Sequence, residues 1–441
     1  MTDANTAAPI VDTTKKISIN KVVMSSAIGT LVEWYDFFIF ATASALVLNK
    51  IFFPNFDPLV GTLVVLTTYA AGFIARPIGG IVFGYLGDTK GRKFSLVITL
   101  FISGLATFCI GLLPTYAQIG MWAPIALLII RLLQGFSAGG EQANAILIAC
   151  EFAKPEKRGL FGGWIQIGVP LAYVFPLALF AFLRSQMSDD VFMSWGWRIP
   201  FLLAAVLIIV GMYVRLNISE SPAFVGARAR HGKHRSPFAN IFANDKRQLI
   251  LGSGAKLAEG VVFTVYATVI SAYAAVRGID KGTIATAVLI GLLCEAFLLP
   301  IFGALSDRFG RRAIYRIGAF SSFIIAPFAF YAVYQGHSLA MTVAIALAIA
   351  VGHGAMYGAQ AAMFTELFPV ERRSSGVSFV QQIGTLLGST LALMTGWLLK
   401  IGDGSPLLLV IYVMLNAAIT FVCVTLLDET APRLQKKRVA S

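Results

Sequence analysis

The polar stretch GYLGDTKGRK, residues 84–93, lies between two long apolar runs and returns as GALSDRFGRR at residues 303–312. The shared Gly, Asp, Gly and Arg positions are each displaced by 219 residues. A short polar stretch with glycines between apolar runs predicts a tight loop that joins two helices. Because this loop occurs twice, the sequence predicts two related halves of the chain.

A second repeated pattern supports this division. Five residues that follow or begin other apolar runs recur 215 positions later in the chain. The pairs are Glu151 and Glu366, Glu156 and Glu371, Lys157 and Arg372, Arg158 and Arg373, and Gln166 and Gln381. Both repeats fall in equivalent parts of the two halves. This placement favours two parallel six-helix units with a substrate path between them near the midplane.

The composition indicates that lipid surrounds the protein. Hydrophobic residues make up 57% of the 441 residues, charged residues make up 13%, and the mean hydropathy is +0.77. A soluble domain carries about 25% charged residues. Side chains that face lipid must be apolar as well as those that face the core, and this requirement accounts for the surplus.

The net charge of +13 does not indicate a nucleic-acid partner. Nucleic-acid-binding domains collect basic residues on one face, often with stacking aromatics. Here the basic residues lie in short loops between apolar runs, a distribution that reports membrane topology instead.

Twelve mostly apolar runs are long enough to cross about 30 Å of hydrocarbon. They are predicted at residues 22–48, 59–86, 94–113, 122–150, 160–183, 198–216, 247–276, 283–305, 313–334, 338–365, 375–398 and 406–427. The sequence therefore predicts an all-α membrane protein with twelve transmembrane helices in two pseudo-symmetric six-helix bundles.

The longest polar stretch between apolar runs predicts the linker between the halves. The expected division is a tail at 1–20, an N-terminal bundle at 21–216, a linker at 217–246, a C-terminal bundle at 247–428 and a tail at 429–441. Basic loop residues on the side of both termini outnumber those on the other side by about five to one. We therefore expect both termini in the cytoplasm and a multi-pass protein in a bacterial inner membrane.

The repeated loop has a mechanical interpretation. Its first glycine allows two helices to approach closely, and its second glycine allows a sharp turn. Its aspartate can accept hydrogen bonds from the N-terminus of a neighbouring helix. The residues assigned to these cytoplasmic gating motifs are Gly84, Asp88, Gly91, Arg92, Gly303, Asp307, Gly310 and Arg311.

With these loops after the second and eighth helices, the sequence resembles the major facilitator superfamily along all twelve predicted helices. The segment RLLQGFSAG, residues 131–139, is similar to the helix-4 motif of that superfamily, in which the arginine is implicated in proton coupling. The resemblance implies the major facilitator fold and transport by alternating access.

Further segments resemble the metabolite:H⁺ symporter family. They are EWYDF at 33–37, RPIGG at 76–80, QG with GGE at 134–141, WGWRIP at 195–200 and ELFP at 366–369. One departure is Ala359, where the family pattern leads us to expect proline. The resemblance implies a carrier of shikimate, 2-oxoglutarate, citrate or another organic acid, or, in one branch, of proline and betaine.

Ionisable residues inside the predicted helices are candidates for coupling and binding, since each costs at least about 2.5–3.5 kcal/mol at the bilayer centre. They are Glu33, Asp36, Arg76, Arg131, Glu141, Lys256, Glu259, Glu295 and His353. Five carboxylates stand against three permanent cations. We therefore expect some of the carboxylates to bind protons.

In the N-terminal half, Glu33 and Asp36 lie one turn apart, so repulsion disfavours ionisation of both. Asp36 is expected either to couple protons or substrate or to pair with Arg76. Arg131 is expected either to bind a substrate carboxylate or to neutralise a nearby acid, and the same alternatives apply to Glu141.

In the C-terminal half, Lys256 and Glu259 also lie one turn apart and could serve function or simply pair with each other. Glu295 could face a lined cavity or a helix contact. His353 and Gln360 lie two turns apart on one face, and a histidine there can titrate near neutral pH. The shikimate transporters are similar in carrying a histidine and a glutamine at this spacing.

These observations predict proton-coupled uptake of a small organic acid, with protons and the lipid bilayer as partners and a monomeric carrier. The alternative is uptake of a zwitterionic osmolyte such as proline or betaine; its branch has a long C-terminal coiled coil, whereas this chain ends about a dozen residues after its last predicted helix. We expect no enzyme, because HExxH and P-loop patterns are absent from the sequence. We also expect no cofactor and no metal site.

Overall fold

A computed structural model of the protein describes residues 19–55, 58–231 and 237–435. Within these ranges the secondary structure consists of α, 3₁₀ and π helices, without a strand. Parts of three predicted segments lie outside the described residues. They are positions 1–18 of the N-terminal tail, 232–236 of the linker and 436–441 of the C-terminal tail.

Six long helices or helix pairs form the N-terminal half. Helix α1 spans Ile19–Ala43 and continues through a π segment, Ser44–Leu48, into Asn49–Phe52. The next three are α2 at Pro58–Thr89, α3 at Arg92–Leu112 and α4 at Trp122–Phe152. The last two are interrupted: α5 at Arg158–Gln166 and Gly168–Gln186, and α6 at Ile199–Leu202 and Ala204–Leu216.

Two shorter helices, Pro222–His231 and Pro237–Asn244, belong to the linker. The C-terminal half then repeats the pattern. Helix α7 spans Lys246–Thr264, a π segment at Val265–Val269 and Ile270–Val276, while α10 spans Ser338–Leu347, a π segment at Ala348–His353 and Gly354–Leu367. The others are α8 at Lys281–Phe309, α9 at Arg311–Gln335, α11 at Arg373–Ile401 and α12 at Leu407–Leu426.

Each of the twelve predicted apolar runs coincides with one of these helices to within a few residues. Ten helices of the described part of the chain are long and apolar enough to cross a membrane. The other two predicted runs, 59–86 and 375–398, coincide with α2 and α11, which contain 32 and 29 residues. The predicted all-α membrane fold with two six-helix halves is confirmed.

Glycines bring α2 and α4 unusually close together. A Cβ atom added to Gly135 of α4 would overlap the carbonyl oxygen of Gly72, and one added to Gly79 of α2 would overlap the carbonyl oxygen of Phe136. Only residues without a side chain allow two membrane helices to approach in this way. This contact sets two arginines, Arg76 and Arg131, on adjoining helices of the N-terminal half.

One end of the bundle carries both repeated loops, residues 84–93 and 303–312. We call this end the basic-loop face. Gly84 and Gly303 lie where the two halves meet near this face, because an added Cβ would press on Ser375 in the first case and on Gly159 in the second. The halves are therefore in close contact at the basic-loop face.

Candidate functional site

Two buried arginines of the N-terminal half lie on aromatic rings. The guanidinium carbon of Arg76 is 4.0 Å from the centre of the Phe37 ring and 5.0 Å from that of Trp34. The corresponding atom of Arg131 is 4.1 Å from the Phe40 ring centre and 4.9 Å from that of Phe37. Contacts between a cation and a π-face stabilise a guanidinium group away from water. Phe37 thus contacts both cations.

Asp36 lies on the same helix as these rings and is buried. Its carboxylate accepts a hydrogen bond of 2.7 Å from the hydroxyl of Ser103 in α3. One turn further along α3, Thr107 accepts a hydrogen bond from Gln134, which in turn accepts one from Arg131 at 2.7 Å. Asp36 and Arg131 are therefore fixed by the same face of α3, which the sequence did not indicate.

Glu141 has a partner that the sequence analysis missed. Arg215 of α6 donates to its carboxylate at 2.5 Å and to the carbonyl oxygen of Leu96 at 2.6 Å. Arg215 is buried, with 3% of its side chain exposed. It lies in the last turn of the predicted run 198–216, and the sequence analysis did not include it among the ionisable residues inside the helices. Glu141 was the sequence feature that could have indicated this arginine, because a buried acid needs a cationic partner.

This pair corrects the expected balance of charge. The sequence analysis set five carboxylates against three permanent cations, and Arg215 is a fourth. Glu33 remains the most weakly satisfied carboxylate of the N-terminal half: both of its oxygens are buried, and neither accepts a hydrogen bond within residues 19–55, 58–231 and 237–435. Arg76 and Arg215 are the cations that act on it electrostatically.

The predicted residues of the C-terminal half come together in one buried network. Lys256 and Glu259 form an ion pair, which is one of the two alternatives given by the sequence analysis. Glu259 also lies 3.3 Å from Nε2 of His353, whose Nδ1 contacts Glu295 of α8. Glu295, whose direction the sequence left open, thus faces the histidine.

Gln360 completes this network. Its amide oxygen accepts from Nζ of Lys256 at 3.3 Å, and its amide nitrogen donates to Glu259 at 3.4 Å. Three helices therefore meet through five polar side chains. His353 is the last residue of the π segment of α10, and π turns within α-helices often mark functional positions. Although Ala359 replaces the expected proline, α10 continues as a regular helix beyond this segment.

Aromatic side chains of both halves separate the two charged groups of residues. The ring of Phe263 in α7 lies 6.1 Å from Phe38, 6.4 Å from Trp34 and 5.0 Å from His353, measured between ring centres. Tyr173 of α5 stacks edge-on against Phe38 and donates to the carbonyl oxygen of Ala267 at 3.2 Å. Beyond Tyr173, away from the basic-loop face, an apolar cleft of about 390 Å³ lies between α5 and the helices α7 and α8.

At the basic-loop face, each repeated aspartate binds the other half. The carboxylate of Asp88 accepts from the backbone N–H groups of Ser374 and Ser375 at 2.9 and 2.8 Å. Asp307 accepts from the N–H groups of Gly159 and Leu160, both at 2.9 Å. The two donor pairs begin α11 and α5 and are themselves displaced by 215 residues. Carboxylates at helix N-termini are favourable because the helix dipole and free N–H groups point at them.

Arginines and glutamates surround these aspartates in the same repeated manner. Arg92 lies 3.3 Å from Asp88 and 3.6 Å from Glu151, and Arg311 lies 2.5 Å from Asp307 and 3.2 Å from Glu366. Each glutamate also pairs across the halves. The cross-pairs are Glu151 with Arg373 at 2.9 Å and Glu366 with Arg158 at 3.5 Å.

Two further glutamates, absent from the sequence prediction, fix the repeated loops. Glu220 accepts from the backbone N–H of Arg92 at 3.1 Å, and Glu429 accepts from that of Arg311 at 2.9 Å. The preceding glycines, Gly91 and Gly310, have φ angles of 117° and 107°, a conformation that side chains disfavour. Burial raises the pKa of Glu220, and the backbone hydrogen bonds that its carboxylate accepts act in the opposite direction. The sequence feature that could have revealed both residues is a glutamate just after the last helix of each half.

Comparison with known families gives matches over nearly the whole chain. Residues 22–249 match the family model described as "Sugar (and other) transporter", and residues 252–440 match the model described as "Major Facilitator Superfamily". An inner membrane metabolite transport protein of Escherichia coli (strain K12) is 37% identical over 94% of this chain and 95% of its own length.

Two other relatives carry different substrate names. The proline/betaine transporter of Salmonella typhimurium is 33% identical over 94% of this chain and 84% of its own length. The shikimate transporter of Escherichia coli (strain K12) is 32% identical over 83% of this chain and 85% of its own length.

The fold matches solved structures as well. A structure of the proton:xylose symporter bound to a bromodeoxyglucose superposes with a TM-score of 0.76 over 93% of this chain and 96% of that one. At 16% sequence identity this similarity concerns the fold alone.

The buried pair of Glu141 and Arg215 yields a prediction about stability. The substitution Glu141→Gln leaves the guanidinium group buried without its counter-charge, and breaking such a pair costs about 3 kcal/mol or more. We expect a clear fall in the melting temperature of the purified protein in detergent. The double variant Glu141→Leu with Arg215→Met should recover most of it, because it removes both charges.

An exposed pair supplies the control. Arg247 and Asp428 lie 2.8 Å apart with 55% and 77% of their side chains exposed. Asp428→Asn should leave the melting temperature nearly unchanged, since exposed pairs add little. Equal melting temperatures for Glu141→Gln and Asp428→Asn would contradict the prediction.

Proposed function

Because the chain belongs to the major facilitator superfamily, whose members transport solutes and are not enzymes, we propose that this multi-pass inner-membrane protein takes up a small organic acid together with protons. The observation that carries the proposal is that the interior holds both guanidinium groups on aromatic rings and a network of acids around a histidine. The N-terminal half buries Arg76 and Arg131 on aromatic rings, and the C-terminal half buries Glu259, Glu295 and His353 in one network.

The two arginines are suited to an anionic solute. A guanidinium group presents donors in a planar fork that matches a carboxylate. Phe37 holds both cations near each other, so an organic acid approaching this region meets two positive groups. Shikimate and di- or tricarboxylates are members of this chemical class, and the name of one relative includes shikimate.

A zwitterionic osmolyte is the second candidate, supported by the relative named for proline and betaine. Quaternary ammonium groups bind on open faces of aromatic rings. Here guanidinium groups lie 4.0–5.0 Å from the centres of the rings of Trp34, Phe37, Phe40 and Phe73. A second cation at these rings would be repelled, and this favours the acid over betaine.

Protons are assigned to Asp36 and to the network around His353, with Glu33 and Glu141 as further acids of the same region. Asp36 lies halfway along α1 and its continuation, residues 19–52, where a lone charge is most expensive. Glu141 is the weaker candidate, because Arg215 already stabilises its ionised form. In this proposal Lys256, Glu259 and Gln360 hold the network in place.

The positive-inside pattern supports a cytoplasmic location for both termini and for the basic-loop face. In that orientation the contacts of Asp88 and Asp307 close the cytoplasmic side, and the apolar cleft lies toward the outside. The repeated motifs would then act as a cytoplasmic gate. We retain the division into bundles at 21–216 and 247–428 as part of this proposal.

Uptake by proteoliposomes tests the proposed function. We expect accumulation of at least one of labelled shikimate, 2-oxoglutarate and citrate when an inward proton gradient is imposed, and collapse of that accumulation with a protonophore. Labelled proline and glycine betaine serve as competing substrates. Equal rates with and without the gradient would make the protein a uniporter, and gradient-driven uptake of betaine alone would favour the osmolyte carrier.

Asp36→Asn should separate coupling from exchange. The substitution keeps the shape and an acceptor for Ser103 but removes the titrating group. We expect loss of gradient-driven accumulation with at least part of the counterflow retained, because exchange need not release a proton. Ser103→Ala, which removes only the hydrogen bond, should keep accumulation. Normal accumulation by Asp36→Asn would move the coupling role to His353 or Glu141.

Asp88→Asn should slow transport more than it weakens binding. The amide can accept from only one of the two N–H groups that Asp88 now satisfies, and hydrogen bonds to a charged group contribute about 1.5–3 kcal/mol. The measurement is the uptake rate beside substrate affinity. Asp280→Asn, at a helix cap within one half, is the matched control. If affinity fell as steeply as rate, the gating role would be wrong.

A further inference from the structure

We propose that Tyr357 is a positioning residue through which the protonation state of the C-terminal network controls closure of the basic-loop face. The inference rests on the proposed proton coupling and adds a residue that has no role in it so far. Tyr357 lies one turn after His353 on α10 and is buried, with 2% of its surface exposed.

The ring of Tyr357 is in direct contact with the network. It stacks on the imidazole of His353 with ring centres 4.9 Å apart and planes inclined by 25°. Nζ of Lys256 lies 5.8 Å from the centre of the same ring. A change of charge on the imidazole therefore acts on the tyrosine ring, because an imidazolium is attracted to a π-face more strongly than a neutral ring is.

The hydroxyl of Tyr357 faces the other half of the protein. It accepts a hydrogen bond from the amide nitrogen of Gln142 in α4 at 3.1 Å. Gln142 is buried and directly follows Glu141, the partner of Arg215. One side chain thus connects the histidine of the C-terminal half with the helix of the N-terminal half that carries Arg131.

The groups that face His353 make its charge sensitive to proton binding. From α7 these are Glu259 and Lys256, and from α8 it is Glu295. From α1 of the other half, Glu33 acts electrostatically on Tyr357. Carboxylates from two helices favour the imidazolium, and loss of its proton weakens the stacking contact that holds the phenol toward Gln142.

The contact belongs to the closed state of the basic-loop face. Nearer that face, further bonds join the halves, including the one from the hydroxyl of Ser374 to the amide oxygen of Asn144 at 2.7 Å. Separation of the halves at this end must break the bond between Tyr357 and Gln142. Protonation of the network without substrate would therefore keep this side closed, which prevents the carrier from moving protons alone.

A native thiol reports the closure without any substrate. Cys150 of α4 is fully buried and packs with Ile146 of α4 and Ala361 of α10, between the halves near the basic-loop face. The parent protein for the test keeps Cys150 and carries serine at Cys109, Cys294 and Cys423. Alkylation of Cys150 by N-ethylmaleimide in the full-length protein is followed from about pH 5 to about pH 10, a span that extends above the ordinary histidine range because the two carboxylates at His353 favour its protonated form. Each rate is divided by that of the same unfolded protein at that pH.

We expect the normalised rate in the parent to rise with pH by roughly two- to thirtyfold, the range that corresponds to a cation–π contact. Tyr357→Phe removes the hydroxyl and should abolish most of this rise. Gln142→Leu removes the partner and should do the same, and it decides the question alone if the tyrosine variant does not fold. Tyr315→Phe is the matched control, because the Tyr315 hydroxyl binds the carbonyl oxygen of Ala255 within one half.

A flat profile in the parent, or an unchanged profile in Tyr357→Phe and Gln142→Leu, would overturn the inference. Loss of the rise in Tyr315→Phe to the same extent would also overturn it, since general packing would then explain the effect. The assay contains no substrate, so these outcomes are separate from the uptake experiment. Failure of proton-driven uptake concerns the proposed function, whereas the alkylation profile concerns Tyr357.

Discussion

The energetic cost of an ionised side chain in a medium without water governs the interior of this protein. Such a charge persists only where a counter-charge, several hydrogen bonds or a polarisable ring compensates for lost hydration. The structure uses all three: an ion pair for Glu141, a five-residue network around His353, and aromatic faces for Arg76 and Arg131. Every rearrangement that transport requires must exchange these partners without leaving a charge alone.

The same constraint shapes the contact between the halves. Each half contributes one aspartate and one helix N-terminus, so the two carboxylates are satisfied by N–H groups that no helix could satisfy internally. Since the donors and acceptors are related by the internal repeat, the two contacts lie at equivalent positions of the two halves. The closed face is thus held by a symmetric pair of interactions, while the charged groups deeper in the protein are different in the two halves.

These forces explain how much of the structure could be predicted from the sequence. Apolar runs and the loop repeat determined the twelve helices, because lipid imposes length and hydropathy on each segment. The buried acids and cations were also identifiable, since few such residues lie within apolar runs. Their partners were not. Arg215, Ser103 and Glu220 are brought to Glu141, Asp36 and Arg92 by the rotation and crossing of helices, which the order of residues along one helix does not specify.

The π segments of α1 and α7 occupy equivalent places, at residues 44–48 and 265–269 of the two halves. In each helix the acidic residues precede the π turn, and the portion that follows it on the side away from the basic-loop face contains no acidic residue. A wide turn weakens the regular hydrogen-bond ladder and is a common origin of helix bending. Each of these helices therefore has a hinge of its own. The portions beyond the π turns can tilt toward or away from each other while Asp36 in α1 and the Lys256–Glu259 pair in α7 keep their partners. The far end of the bundle and the basic-loop face therefore need not move as one rigid body.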